Sequence, residues 1–185
     1  AADNADTLLL ATIPAAGNAA RRCFVQALAK RDMQVLVDGG WALPLGQEQA
    51  TRQLFQTFGQ LPAAPFKEGP SLQPVLVRQR QQANGSFIYL LNTAPWPTRV
   101  VLQITLPSTA SLEPLDGRSG STFKRIGQIA EWTVQLEPYD LHAAKLSTTG
   151  FSIDQIKVSY DDQVKRLLKQ EIHDMNSLAK ILERP

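Results

Sequence analysis

Hydrophobic and polar positions change their period twice along the chain. From Thr7 to Ile13 the run TLLLATI is apolar without a break and stops at Pro14, as a short strand covered on both faces would read. Asn18 to Lys30 then follows helical spacing, with Ala19, Cys23, Ala27 and Lys30 near one face and Asn18 placed to cap the first turn. Met33 to Val37 (MQVLV) is a second apolar strand, halted by Asp38-Gly39-Gly40. Gln47 to Phe58 predicts a second helix, with Leu54, Phe55 and Phe58 as its stripe and Gly59 as its stop. Strand, helix, strand, helix in that order predicts a parallel pair with crossover helices. Two strands are too few to cover such apolar runs, so this segment needs a larger sheet or another surface to pack on.

Proline then breaks the pattern in LPAAPFKEGP, and a linker is predicted over 61–72. Beyond it the period is two. Pro74 to Gln79 and Ser86 to Leu91 read as strands joined at Asn84-Gly85, a hairpin signal because both residues tolerate positive φ. Arg99 to Leu106 alternates cleanly, and Asp116-Gly117 and Gly120 supply turns. Trp132 to Leu136 and Leu141 to Leu146 continue the strands across a Glu137-Pro138-Tyr139-Asp140 corner, and Ser152 to Val158 adds a last one. Short strands with frequent turn signals predict an antiparallel sandwich over 73–158. In the tail, Val164, Leu167, Leu168, Ile172, Met175, Leu178, Ala179 and Leu182 recur at spacings of three and four. A long C-terminal helix is therefore predicted within 159–185, with acidic Asp161 and Asp162 at its start. The expected class is α+β: a βαβα segment over 1–60, the linker, a β-sandwich and the helix.

Composition changes this picture little. The chain has 185 residues, 43% hydrophobic and 19% charged, enough for one domain or two small ones. A net charge of +2 with no dense basic block argues against a nucleic-acid partner. The run Thr7–Ile13 is too short to span a bilayer, and no membrane association is expected. The opening AADNAD suits the mature end of an exported protein or the edge of a fragment, and an exported or periplasmic location is the favoured expectation. Cys23 stands alone, so no intrachain disulfide forms, and its place in an apolar helical pattern predicts an inert buried thiol. His142 and His173 match no metal-ligand spacing, and no metal or cofactor is expected.

The pattern LVDGGW…PLGQE…QPVLVR…YLLN…PW…LEPYDL resembles one carried by large glycoside-hydrolase-like proteins of environmental bacteria. The module order resembles the end of a (β/α)8 barrel followed by its C-terminal β-sandwich. This resemblance implies that Thr7–Ile13 and Met33–Val37 correspond to the seventh and eighth barrel strands. It also implies neighbouring domains in a larger parent chain.

On that reading Asp38 and Trp41 gain meaning, because functional groups of such barrels sit at the C-terminal ends of strands. A carboxylate beside an indole suits sugar hydroxyls and sugar faces. The plainer alternative is that Asp38 caps a turn and Trp41 is core. Trp96, between two prolines, is either a platform at a sandwich edge or core packing on the Tyr89 side. Trp132 reads as core, and Tyr139 as a tyrosine corner whose hydroxyl bonds nearby backbone.

No catalytic residue is identified. Glu48, Glu68, Glu113, Glu131 and Glu137 are available, but glycoside hydrolysis needs two carboxylates held across a cleft, and two barrel-like strands cannot build that rim. No nucleophile elbow or phosphate loop is present, Asp116-Gly117-Arg118-Ser119-Gly120 included. The expectation is a non-catalytic accessory region that stabilises or orients a neighbouring domain, although its parent fits a glycoside hydrolase. Two rivals stay open: a carbohydrate-binding sandwich using an exposed Trp, and a helix-mediated interaction module. A homodimer is one arrangement that would cover the apolar strands.

Overall fold

A computed structural model describes residues 7–10, 17–38, 48–117 and 121–182. Strands β1 (Thr7–Leu10) and β2 (Val35–Asp38) pair in parallel, from Thr7 opposite Val35 to Leu10 opposite Asp38. A 3-10 turn (Gly17–Arg21) leads into α1 (Arg22–Lys30), and α2 (Glu48–Gly59) follows β2. The strand–helix–strand–helix order is thus present.

Nine further strands form two antiparallel sheets. The central sheet runs β3 (Lys67–Glu68), β4 (Val75–Gln82), β5 (Gly85–Asn92), β10 (Asp140–Leu146), β7 (Leu112–Pro114). The outer sheet runs β11 (Ser152–Ser159), β6 (Thr98–Thr105), β9 (Ile129–Leu136), β8 (Ser121–Ile126). Helix α3 (Asp162–Leu182) closes the chain, and the Asp161 carboxylate accepts from the Val164 N–H at 2.8 Å as its cap. The class is α+β, as the periodicity predicts.

Two cores explain the layering. Between the sheets lie Val75, Val77, Ile88, Leu90, Val100, Leu102, Ile104, Trp132, Val134 and Leu136. On the other face of the central sheet, Tyr89, Leu91, Leu141 and Ala143 meet Phe24, Val25, Leu28, Leu54 and Phe66. β5 and β10 are therefore covered on both faces, which is why SFIYLL and LHAAKL are nearly continuous in apolar residues. β9 has only one packed face and alternates. The segment predicted as a linker holds β3, and Phe66 within it packs edge-on against Tyr89 at 5.0 Å.

Several local expectations are corrected. Asn18 does not cap α1. It lies inside the 3-10 turn, Arg21 holds the cap position without a side-chain capping bond to the helix, and the Asn18 side-chain oxygen accepts from the Arg21 guanidinium. Cys23 is exposed and not buried. The buried face of α1 carries Phe24, Val25 and Leu28, displaced from the smaller Ala19/Cys23/Ala27 stripe by one position. The larger side chains win because they remove more apolar area from water. At the Tyr139 corner (φ 50), the backbone N–H donates to the Ala94 carbonyl at 3.0 Å, which ties the corner to the β5–β6 connection.

The β4–β5 hairpin also turns one residue earlier than Asn84-Gly85 suggests. Gln82 pairs with Gly85, so Ala83-Asn84 form the loop and Gly85 opens the strand. Gly85 has φ +131, and a Cβ there would lie 2.6 Å from the Leu146 carbonyl oxygen of the neighbouring strand. Gly85→Ala should therefore lower stability by about 1–3 kcal/mol. Urea unfolding followed by circular dichroism checks this, and an unchanged midpoint would refute the close approach.

Candidate functional site

The three residues singled out for sugar contact are not shown together. Asp38 ends β2, at the C-terminal end of a strand paired in parallel with β1. Trp41 lies outside the described residues. Trp96 sits in the β5–β6 connection and is half-buried. Its carbonyl accepts from the Asn92 side-chain amide at 2.8 Å, and its indole N–H is buried without a partner among the described residues.

What the structure does assemble is a set of buried polar links between the helical layer and the central sheet. Arg21 Nη1 donates to Asp140 Oδ1 at 2.7 Å, and both side chains are buried. Asp140 also accepts from the backbone N–H groups of Leu141 and Glu137, each at 3.0 Å. Three donors on one carboxylate offset the cost of taking it out of water. The Asn92 amide, opposite Asp140 in the register, adds a bond to the Glu137 carbonyl at 2.9 Å.

A second link joins the α1–β2 loop to β5. The Tyr89 hydroxyl donates to Asp32 Oδ1 at 3.0 Å, while Asp32 Oδ2 accepts from the Phe66 N–H. Burial, reinforced by the Asp32 charge, pushes the Tyr89 phenol far above its ordinary value, so it remains a donor. A third link is Arg78 Nη2, which donates to the Ala29 carbonyl at 3.3 Å.

His142 and Asp116 face each other inside the sandwich. Nδ1 of His142 meets the Asp116 carboxylate at ion-pair distance, and the imidazole is 1% exposed. The indole ring of Trp132 lies 5.5 Å away at 33°. An imidazole held by a carboxylate is the arrangement of a general base. Sealed from solvent, this one has no route to a substrate and serves packing. The signal for it was visible in the sequence: one histidine at an inward position of an otherwise apolar strand.

A groove of about 560 Å³ lies where the central sheet's β3–β4 edge faces β11. Lys67, Gln79, Arg80 and Gln81 line one side, Phe151, Ser152 and Ile153 the other. Arg80 Nη1 is held by the Pro65 carbonyl. Amides, cations and one ring suit a polar, hydroxyl-rich ligand. Sequence reading missed it because its walls are distant in the chain and meet only when the sheets stack. Among the described residues no group of three His, Cys, Asp or Glu is placed to hold a metal ion.

No protein-family model and no curated protein matches the chain. Among solved structures it is similar to a glycoside hydrolase family 30 subfamily 8 xylanase from Clostridium acetobutylicum, at 12% identity and TM-score 0.45, over 76% of this chain and 42% of that one. It is also similar to isomaltulose synthase from Klebsiella, at 17% identity and TM-score 0.31, over 52% of this chain and 17% of the enzyme. A hypothetical protein of Leishmania major matches at 16% identity and TM-score 0.32, over 54% of this chain and 97% of its own. The chain thus spans less than half of either named enzyme.

Proposed function

We propose that this chain is a non-catalytic accessory region of a glycoside-hydrolase-like protein, in which the sandwich braces a neighbouring domain through β1–β2. The observation that carries the reading is an asymmetry. The helical layer is fastened to the central sheet by Arg21–Asp140, Tyr89–Asp32 and Arg78, whereas Val35 and Val37 of β2 stand 45% and 40% exposed. Leu36 between them packs into the helix-side core. A strand secured on one face with valines bare on the other suits a sheet continued or covered by a further domain.

Val35→Lys with Val37→Lys should change the stability of the chain alone by less than about 0.5 kcal/mol, since the face is open. In the longer parent the same pair should lower the melting temperature. The chain alone should release no reducing sugar from a polysaccharide panel, and turnover above blank would overturn the reading.

Carbohydrate binding is the second reading, and the groove beside Phe151 favours it, with Asp38, Trp41 and Trp96 as further candidate contacts. Calorimetric titration with oligosaccharides separates the two. Saturable heat abolished by Gln79→Ala with Phe151→Ala would install this reading in place of the first.

A further inference from the structure

Helix α3 is the longest element among the described residues, and most of its described side chains are exposed. Val164, Leu168, Ile172, Met175 and Leu178 share one face at spacings of three and four. Only the start of that face is used. Val164 is 7% exposed and Leu168 is half-buried, but Ile172, Met175 and Leu178 are 59%, 65% and 60% exposed. The stripe begins against the rest of the fold and runs on into solvent. An isolated helix of this length is marginal in water and draws most of its stability from packing on a partner.

The sequence of the helix says which partner. Leu168, Ile172, Met175, Ala179 and Leu182 follow the alternating four–three spacing of a coiled-coil seam. Charge is divided between the two halves. Within Asp162–Leu182 the first carries Lys165, Arg166 and Lys169 against Asp162, and the second carries Glu171 and Asp174 against Lys180. The first half is thus net basic and the second net acidic.

We infer that α3 pairs antiparallel with α3 of a second copy, joining two chains through a two-helix coiled coil. In that orientation each basic half lies along an acidic half, so complementarity occurs twice. A parallel pair would set like halves together and bring both sandwiches to the same end. Antiparallel pairing places them at opposite ends of a helix roughly 30 Å long. The apolar seam supplies the association, and the charges select its direction.

Sedimentation equilibrium of the full chain tests this, with Trp132 emission as the control for an intact sandwich. The wild-type chain should be dimeric at micromolar concentration. Ile172→Lys with Met175→Lys should weaken association about hundredfold. Lys165→Glu with Lys169→Glu should weaken it about tenfold, and adding Glu171→Lys and Asp174→Lys in the same chain should restore it. A monomeric wild-type chain overturns the inference, whether α3 then meets a different protein or none. A dimer indifferent to the charge reversal overturns the antiparallel arrangement.

Discussion

Trp132→Ala should lower the unfolding free energy by about 3–5 kcal/mol. Trp132 is the largest fully buried side chain among the described residues. It pairs with Leu102 on β6 and Phe123 on β8, and across the interior its ring lies over His142. Alanine would leave a void bounded by both sheets, and paired strands cannot collapse into it without breaking their ladders. Since domains of this kind have only about 5–15 kcal/mol in total, the variant should be partly unfolded at physiological temperature. Trp132→Phe should cost less than half as much. It keeps a ring in the site and removes an indole N–H that is buried without a partner among the described residues. Chemical denaturation followed by circular dichroism reads both, and a loss below about 1 kcal/mol for alanine would contradict the packing described.

Asp140→Ala should cost a similar amount, about 3–5 kcal/mol, by a different route. The carboxylate accepts from Arg21, Glu137 and Leu141, and its removal takes a close counter-charge from a buried guanidinium and an acceptor from two backbone N–H groups. Burying the guanidinium with less compensation supplies the larger share of the loss. Replacing both members, Asp140→Ala with Arg21→Met, should therefore be less harmful than Asp140→Ala alone. A double-mutant cycle measures the difference. If the double variant is the less stable, the link is not the anchor between helical layer and sheet inferred above.

Strands and the contacts between layers are not equally legible in the sequence. LHAAKL and SFIYLL read as strands at once, and the structure adds that both are covered on two faces. β7, β8 and β3 leave no periodic signal in the sequence. β3 has two residues and β7 three, too few for a period to show. β8 alternates Ser121, Phe123 and Arg125 against polar neighbours with little apolar contrast. The pattern places Cys23 on the buried face and the structure does not, because two helical faces one residue apart differ by only about 100°. The Arg21–Asp140 link spans 119 positions, and no local pattern announces such a pair.

The sequence by itself determined the α+β class, the order of βαβα segment, sandwich and tail helix, and the burial of Trp132. These follow from periodicity and turn residues, which act between neighbours in the chain. Only the tertiary structure decided that the two helices seal the outer face of the central sheet. It alone decided that β2 turns Val35 and Val37 outward, and that the face of α3 outruns its support. Those outcomes depend on which surfaces meet, and burial is a property of the pair of surfaces, invisible in either segment alone.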